Sequence, residues 1–402
     1  MEYFECIFCQ KEYPLDLFNP FCLDCKEPLL YQYSQRKRAF YPEKYWTLEK
    51  FLDFLPISEA NQNFSLGEGN TPLIKLNRLS EKFKLPPIYA KNEAFNPTSS
   101  FKDRGSAVAV QKALSMGIER IGTVSTGNMA ASTAAYGAKA GLKTFVLVKE
   151  DASSEKLLSI GVHNPVLVSV KGDYGQLFYK SFDIGRKHNI YFINSVDPIR
   201  IEGYKAIGFE IFLQLNSQAP RYVFAPVSSG GHLIGLIRAF LDLLQQGQIQ
   251  GLPFFIGIQA KGCSPIARAY RLGKSKVERI EKAETIAHSI TNPDPPGGNI
   301  VLKMIQDKKG KIIEVSDEEI LNAQRILAEL EGIFCLPASA TTLAGLLKLS
   351  EEIKNNINDQ IVLVITGSGL KSMKELELSK INICHSSLSK LDEKMKSFII
   401  HK

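Results

Sequence analysis

The chain lacks any apolar run approaching the roughly 18 residues that a membrane-spanning helix needs. Its opening, MEYFECIFC, lacks the basic-then-apolar pattern of a secretory signal, so a cytoplasmic location is expected. Histidine is scarce, and the six histidines do not cluster, which leaves no histidine-centred catalytic or metal site. Dense basic blocks are missing as well. The nearest, Arg36-Lys37-Arg38, is three residues long, and a net charge of +7 over 402 residues reads as a solvated surface. Repeats and low-complexity stretches are absent. Neither nucleic acid nor a membrane is therefore expected as a partner.

What is present suits a globular chain of two or three domains, with 44% hydrophobic and 23% charged residues. Of the seven cysteines, Cys263, Cys335 and Cys384 are scattered. The other four form two CxxC pairs, Cys6/Cys9 and Cys22/Cys25, with twelve residues between them. A disulfide framework would be odd in a long cytosolic chain. Four thiolates at this spacing can instead surround one Zn2+ tetrahedrally, and a filled coordination sphere makes the site structural. The metal supplies stability that some thirty residues cannot obtain from burial. A pair of redox dithiols or an unmetallated remnant is the alternative. As a separate unit, the segment is expected to melt on chelation and leave any cofactor held by the rest of the molecule bound.

Residues 31–65 are rich in aromatics (Tyr31, Tyr33, Phe40, Tyr41, Tyr45, Trp46, Phe51, Phe54) and read as a segment packing across a larger body. From Thr71 onward, short apolar runs alternate with helix-like runs. The spacing predicts strands at 88–90, 120–124, 144–148, 166–170, 191–193, 222–225, 254–258 and 361–365, each buried on both faces. Helices are predicted over 105–116, 130–140, 203–215 and 233–244. This is an α/β pattern with parallel sheets covered by helices, and two such sheets account for the length. Ligands of such sheets bind at the carboxyl ends of the strands.

The chemistry-bearing loops fall at those ends. In Asn96-Pro97-Thr98-Ser99-Ser100-Phe101-Lys102-Asp103-Arg104-Gly105, a lysine sits where small polar residues enter an apolar helix. The positive helix end favours the free amine over the ammonium, and a free amine can attack an aldehyde. A surface lysine after a capping serine fits the same local pattern. Ser125-Thr126-Gly127-Asn128 opens an alanine-rich helix, either as an anion site or as an ordinary N-cap. In Val227-Ser228-Ser229-Gly230-Gly231-His232-Leu233, paired glycines let backbone N–H groups approach a phosphate. Ile365-Thr366-Gly367-Ser368-Gly369-Leu370-Lys371 closes the last strand. In the segment from Asn194 to Lys205, the planar fork of Arg200 suits a phosphate, with an ion pair to Glu202 as the plain alternative. Lys156 is a further basic candidate, or part of a solvated helix face.

Together with Gly67-Glu68-Gly69-Asn70-Thr71-Pro72-Leu73, these loops resemble, in order, the motifs of the threonine synthases among the fold-type-II pyridoxal-phosphate enzymes. The resemblance implies two open parallel-sheet α/β domains. The larger would be built from 33–105 and 200–402 and the smaller from 106–199, behind a zinc ribbon at 1–32. It implies that Lys102 is the catalytic residue and carries pyridoxal 5'-phosphate beside Phe101. Asn128 would meet the cofactor's phenolic oxygen, Ser228, Ser229, Gly230, Gly231 and His232 its phosphate, and Thr366 its pyridine nitrogen. Ser125 and Thr126 would meet the substrate, and Asn194, Ser195 and Arg200 its phosphate. The implied reaction converts O-phospho-L-homoserine and water to L-threonine and phosphate in a homodimer. A β-replacing enzyme such as cysteate synthase, or a threonine or serine dehydratase, would share the scaffold. A zinc-ribbon binding protein on a retired enzyme scaffold is a further alternative, and the intact Lys102, Asn128 and Thr366 set argues against it. The chain departs from the family pattern at Ser99, where glycine is usual, in the Ser-Ser-Gly-Gly-His loop, and at Ser372, where aspartate is usual.

Overall fold

The structure, a computed structural model, describes residues 2–33, 39–41, 43–307, 310–353, 359–373 and 383–400. Arg36-Lys37-Arg38 lies outside the described residues. Two compact units emerge, Met1–Leu370 and Lys371–Lys402.

The first unit begins with β1 (Glu2–Glu5), β2 (Glu12–Tyr13) and β3 (Leu30–Tyr33), an antiparallel ribbon in the order β2-β1-β3. The aromatic segment follows, with α1 (Thr47–Lys50) at its centre. Trp46, Leu48, Phe51 and Phe54 are buried, and Phe40 stacks 4.7 Å from Phe54 and 5.4 Å from Phe209. The segment thus packs across the body as expected.

Alternation then sets in: β4 (Leu73–Lys75), α2 (Asn77–Phe83), β5 (Ile88–Asn92), α3 (Lys102–Ser115), β6 (Arg120–Val124), α4 (Asn128–Lys139), β7 (Lys143–Lys149), α5 (Ser154–Gly161), β8 (Val166–Val170), α6 (Tyr174–His188), β9 (Tyr191–Phe192) and α7 (Pro198–Gln214). It continues through β10 (Tyr222–Pro226), α8 (Gly231–Gln245), β11 (Phe254–Ala260), α9 (Pro265–Arg271), α10 (Gly298–Asp307), β12 (Lys311–Val315), α11 (Asp317–Glu331), α12 (Pro337–Lys348) and β13 (Ile361–Ile365). One sheet has the order β12-β11-β10-β13-β5-β4 and is parallel except for β4. The other, β8-β7-β6-β9, is parallel throughout.

The central strand β13 is buried along its whole length, as an Ile-Val-Leu-Val-Ile run covered on both faces should be. β8 corrects the expectation. It is an outer strand paired, among the described residues, only with β7, and Val166, Leu167 and Val168 are exposed. β4 and β12 escaped the sequence pattern because they sit at sheet edges, where a three-residue strand and the charged Lys311 and Glu314 are tolerated. Helices α3 and α7 start earlier than their apolar periodicity. α7 begins at Pro198 because Asp197 caps it, accepting from the Arg200 N–H, and proline suits the first turn.

The carboxyl ends of β5, β6, β9, β10 and β13 lead into the lysine loop, the 125–128 loop, the 194–197 turn, the 227–230 loop and Thr366. The topology therefore gathers segments that lie far apart in the chain. No helix among the described residues is long and apolar enough to cross a membrane. In the second unit, α13 (Leu391–Ile400) carries Leu391, Met395 and Phe398 at helical spacing, all exposed.

Candidate active site

Lys102 is the first residue of α3, and its loop is pinned at both ends. The Thr98 N–H and hydroxyl donate to the two oxygens of Asp103, each at 2.6 Å. The Phe101 N–H donates to the Thr366 carbonyl at 3.1 Å, and the Ser368 N–H to the Ser99 carbonyl at 3.2 Å. Ser99 has φ +56°, the left-handed region that favours glycine, which gives its departure from the family pattern a physical meaning.

The Lys102 Nζ lies 4.3 Å from the ring centre of Phe101 and 5.8 Å from that of Tyr204. Its ammonium is brought down to about 7, first by burial and second by the Arg200 guanidinium. Desolvation and a like charge thus act in the direction expected from the helix start. The consequence is the one expected: an amine partly free near neutral pH.

Sequence reading missed what holds this lysine in place. Arg104, two residues on, donates to Glu93 at 2.6 and 2.8 Å and to Glu210 at 2.7 and 2.8 Å. Lys91 donates to Glu210 at 2.6 Å, and Thr71 to Glu93 at 2.7 Å. All four charged groups are buried. Burial alone would raise the Glu210 carboxyl, yet the Arg104 and Lys91 charges hold it well below its ordinary value. The opening motif joins through Glu68, which accepts from Trp46, Ser65, the Leu66 N–H and Tyr136 of α4.

Ser125, Thr126, Gly127 and Asn128 are half-buried at the start of α4. Behind them, Asn194 is fully buried. It accepts from the Val124 N–H at 2.9 Å and donates to Ser181 at 3.0 Å. Ser195 beside it is half-buried. The Arg200 guanidinium is buried as well, donating to Tyr204 at 3.3 Å, Ser106 at 3.0 Å and Thr133 at 2.8 Å, with Nε unpartnered. It forms no ion pair with Glu202, whose carboxylate faces Lys205 and Arg238 instead.

At the head of α8, Gly230 has φ +102°, and an added Cβ would stand 2.9 Å from the Gly297 carbonyl. A Cβ on Gly231 would stand 2.5 Å from the Ser195 carbonyl. Only glycine fits either position. Ser228 and Ser229 are half-buried, and Ser229 accepts from Asn292 at 2.8 Å. The His232 ring is buried 4.3 Å from the Phe101 ring, with the Pro226 backbone as its polar neighbour. Burial and then the Lys102 charge lower it to about 3, so the imidazole is neutral. The Thr366 hydroxyl shares a 2.8 Å hydrogen bond with Ser339.

This donor set fits pyridoxal phosphate. It offers a depressed lysine amine, a glycine cradle at a helix start, a hydroxyl at the end of β13, and a buried, unpartnered Nε on Arg200. At the ribbon, the sulfurs of Cys6, Cys9, Cys22 and Cys25 all lie within 4.8 Å of one another. A tetrahedron with zinc–sulfur bonds of about 2.3 Å has edges of about 3.8 Å, so the cluster can close on one ion.

Comparison with known proteins agrees. The family model described as "Pyridoxal-phosphate dependent enzyme" matches residues 64–367. The chain resembles in fold the serine racemase of Dictyostelium discoideum (TM-score 0.63, 23% identity, 77% of this chain and 94% of that one). It likewise resembles an L-serine ammonia-lyase from Rhizomucor miehei (TM-score 0.64, 20% identity, 82% of this chain and 98% of that one). Fold and lysine site together define a pyridoxal-phosphate-dependent enzyme of fold type II. Curated relatives narrow this further. A threonine synthase of Methanocaldococcus jannaschii is 38% identical over 91% of this chain and 92% of its own length. One of Halalkalibacterium halodurans is 39% identical over 81% and 89%. The chain belongs to the threonine synthase family, pyridoxal-phosphate-dependent carbon–oxygen lyases of amino-acid biosynthesis.

Proposed function

We propose that the protein converts O-phospho-L-homoserine and water to L-threonine and phosphate, with Lys102 as the cofactor-bearing and proton-moving residue. The observation that carries this is the Lys102 amine, lowered to about 7 between two aromatic rings and beside Arg200. When bound, the cofactor supplies an electron-withdrawing ring that makes the carbon beside the substrate's amino group acidic.

The chain's own residues do the rest. The Lys102 Nζ would take a proton at the α carbon and return protons at neighbouring carbons. An amine near 7 can do both at neutral pH. Asn128 would orient the cofactor's phenolic oxygen, and the 228–232 loop would bind its phosphate. Thr366 would meet the pyridine nitrogen; a hydroxyl cannot keep that nitrogen protonated as a carboxylate would. Ser125 and Thr126 receive the substrate carboxylate, Ser195 and Arg200 its phosphate, and Asn194 anchors the floor beneath them. Cys6, Cys9, Cys22 and Cys25 hold a structural Zn2+, and metal analysis should find one zinc per chain. The ribbon at 1–32, the small domain at 106–199 and a homodimer belong to the same proposal.

A phosphate-release assay with O-phosphohomoserine beside O-phosphoserine tests it. Release from the first is expected. Release only from O-phosphoserine would replace it with a β-replacing activity.

A further inference from the structure

The second cysteine pair touches both halves of the molecule. Phe21, just before Cys22, packs its ring 5.1 Å from Phe182 and 5.8 Å from Tyr179, both on α6. Glu27, two residues after Cys25, accepts from Asn299 of α10 at 2.6 Å. The knuckle fixes the two against each other: the Cys22 N–H donates to the Glu27 carbonyl at 2.9 Å, and Phe21 bridges to Pro28.

From Phe21 a packed path leads to the 125–128 loop. Phe21 leans on the cluster that holds Phe182 and Val124 together. Helix α6 grips Val124 at both polar atoms. Tyr174 donates to its carbonyl at 3.0 Å, while Ser181 accepts from Asn194, which in turn accepts from the Val124 N–H. Ser125 is the next residue.

From Glu27 a second path leads to the 228–231 loop. Asn299 lies at the start of α10 and also accepts from the Val277 N–H at 2.7 Å. Just before it, the Gly297 N–H donates to the Ser229 carbonyl at 2.9 Å, and Gly230 has no room for a Cβ against Gly297.

We propose that Phe21 and Glu27 are positioning residues: Phe21 sets the 125–128 loop through α6, and Glu27 sets the 228–231 loop through the start of α10. This rests on reading those loops as the substrate and cofactor-phosphate loops. It reverses the expectation that the cysteine segment could melt without consequence for the cofactor.

The two paths touch where Gly297 packs against Val196, but they end on different loops, so the larger effect of each variant falls on a different constant. The test measures the dissociation constant of pyridoxal phosphate, from the absorbance of bound cofactor, and KM on the saturated holoenzyme. Glu27→Ala is expected to weaken cofactor binding about fivefold with KM within about twofold of wild type, and Glu27→Gln, which keeps an acceptor for Asn299, to restore it. Phe21→Ala is expected to raise KM about fivefold with cofactor affinity within about twofold of wild type. Should that variant not fold, Phe21→Leu reads the same split at smaller size. Asp24→Ala, which breaks only the exposed ion pair with Lys11, is expected to change neither constant. If each variant moves both constants together, or neither moves while wild type binds cofactor, the proposal is overturned. An absence of cofactor absorbance in wild type would overturn the site reading itself, and this proposal with it.

Discussion

Arg104 and Arg200 are both fully buried at the meeting of α3 and α7, yet they are compensated in opposite ways. Arg104 is enclosed by two carboxylates, Glu93 and Glu210, at 2.6 to 2.8 Å. Arg200 meets only the hydroxyls of Ser106, Thr133 and Tyr204, and no carboxylate lies within ion-pair distance of it among the described residues. A buried charge with full counter-charge is a clamp. Arg200, with no carboxylate in contact and Asp197 acting on it only at longer range, retains its pull on an anion and repels its neighbouring cation, Lys102. One residue type thus serves two tasks, and the partners decide which.

The largest expected effect breaks the clamp. Arg104→Leu would leave Glu93 and Glu210 facing Lys91 alone and should cost ~3–5 kcal/mol in urea unfolding. Arg200→Leu removes a charge that no carboxylate touches and three bonds to hydroxyls, so its cost should stay below ~2 kcal/mol. Equal losses would erase the contrast between the two.

Next in size is an electrostatic effect. The rate at which cofactor-free protein captures pyridoxal phosphate at Lys102 should follow the free-amine fraction, rising with pH through about 7. A positive neighbour disfavours the ammonium, so Arg200→Gln should move that midpoint to higher pH. An unmoved midpoint would mean that Arg200 does not tune the amine. Smallest is Ser99→Gly, which relieves a left-handed serine in the lysine loop and should stabilise the protein by about 1 kcal/mol, read as a raised Tm.

What was legible in the sequence was local. Lys102, the 125–128 loop, Gly230-Gly231 and Thr366 each sit at a strand-to-helix junction, and short-range rules find such junctions. The clamp was not legible, because Arg104 meets partners 11 and 106 residues away and Lys91 meets Glu210 across 119. No spacing rule reaches that far. Asn194 shows a second limit: its residue type suited a phosphate contact, but only the packing of β6 against α6 revealed its bonds to the Val124 N–H and Ser181. The exposure of β8 was hidden for a related reason, since an apolar run does not announce which strand ends up at a sheet edge.

The most direct test replaces the amine itself. In Lys102→Ala, the visible absorbance of bound cofactor and phosphate release from O-phosphohomoserine should both disappear, with thermal unfolding otherwise close to wild type. Wild-type absorbance and turnover in that variant would contradict the role given to Lys102.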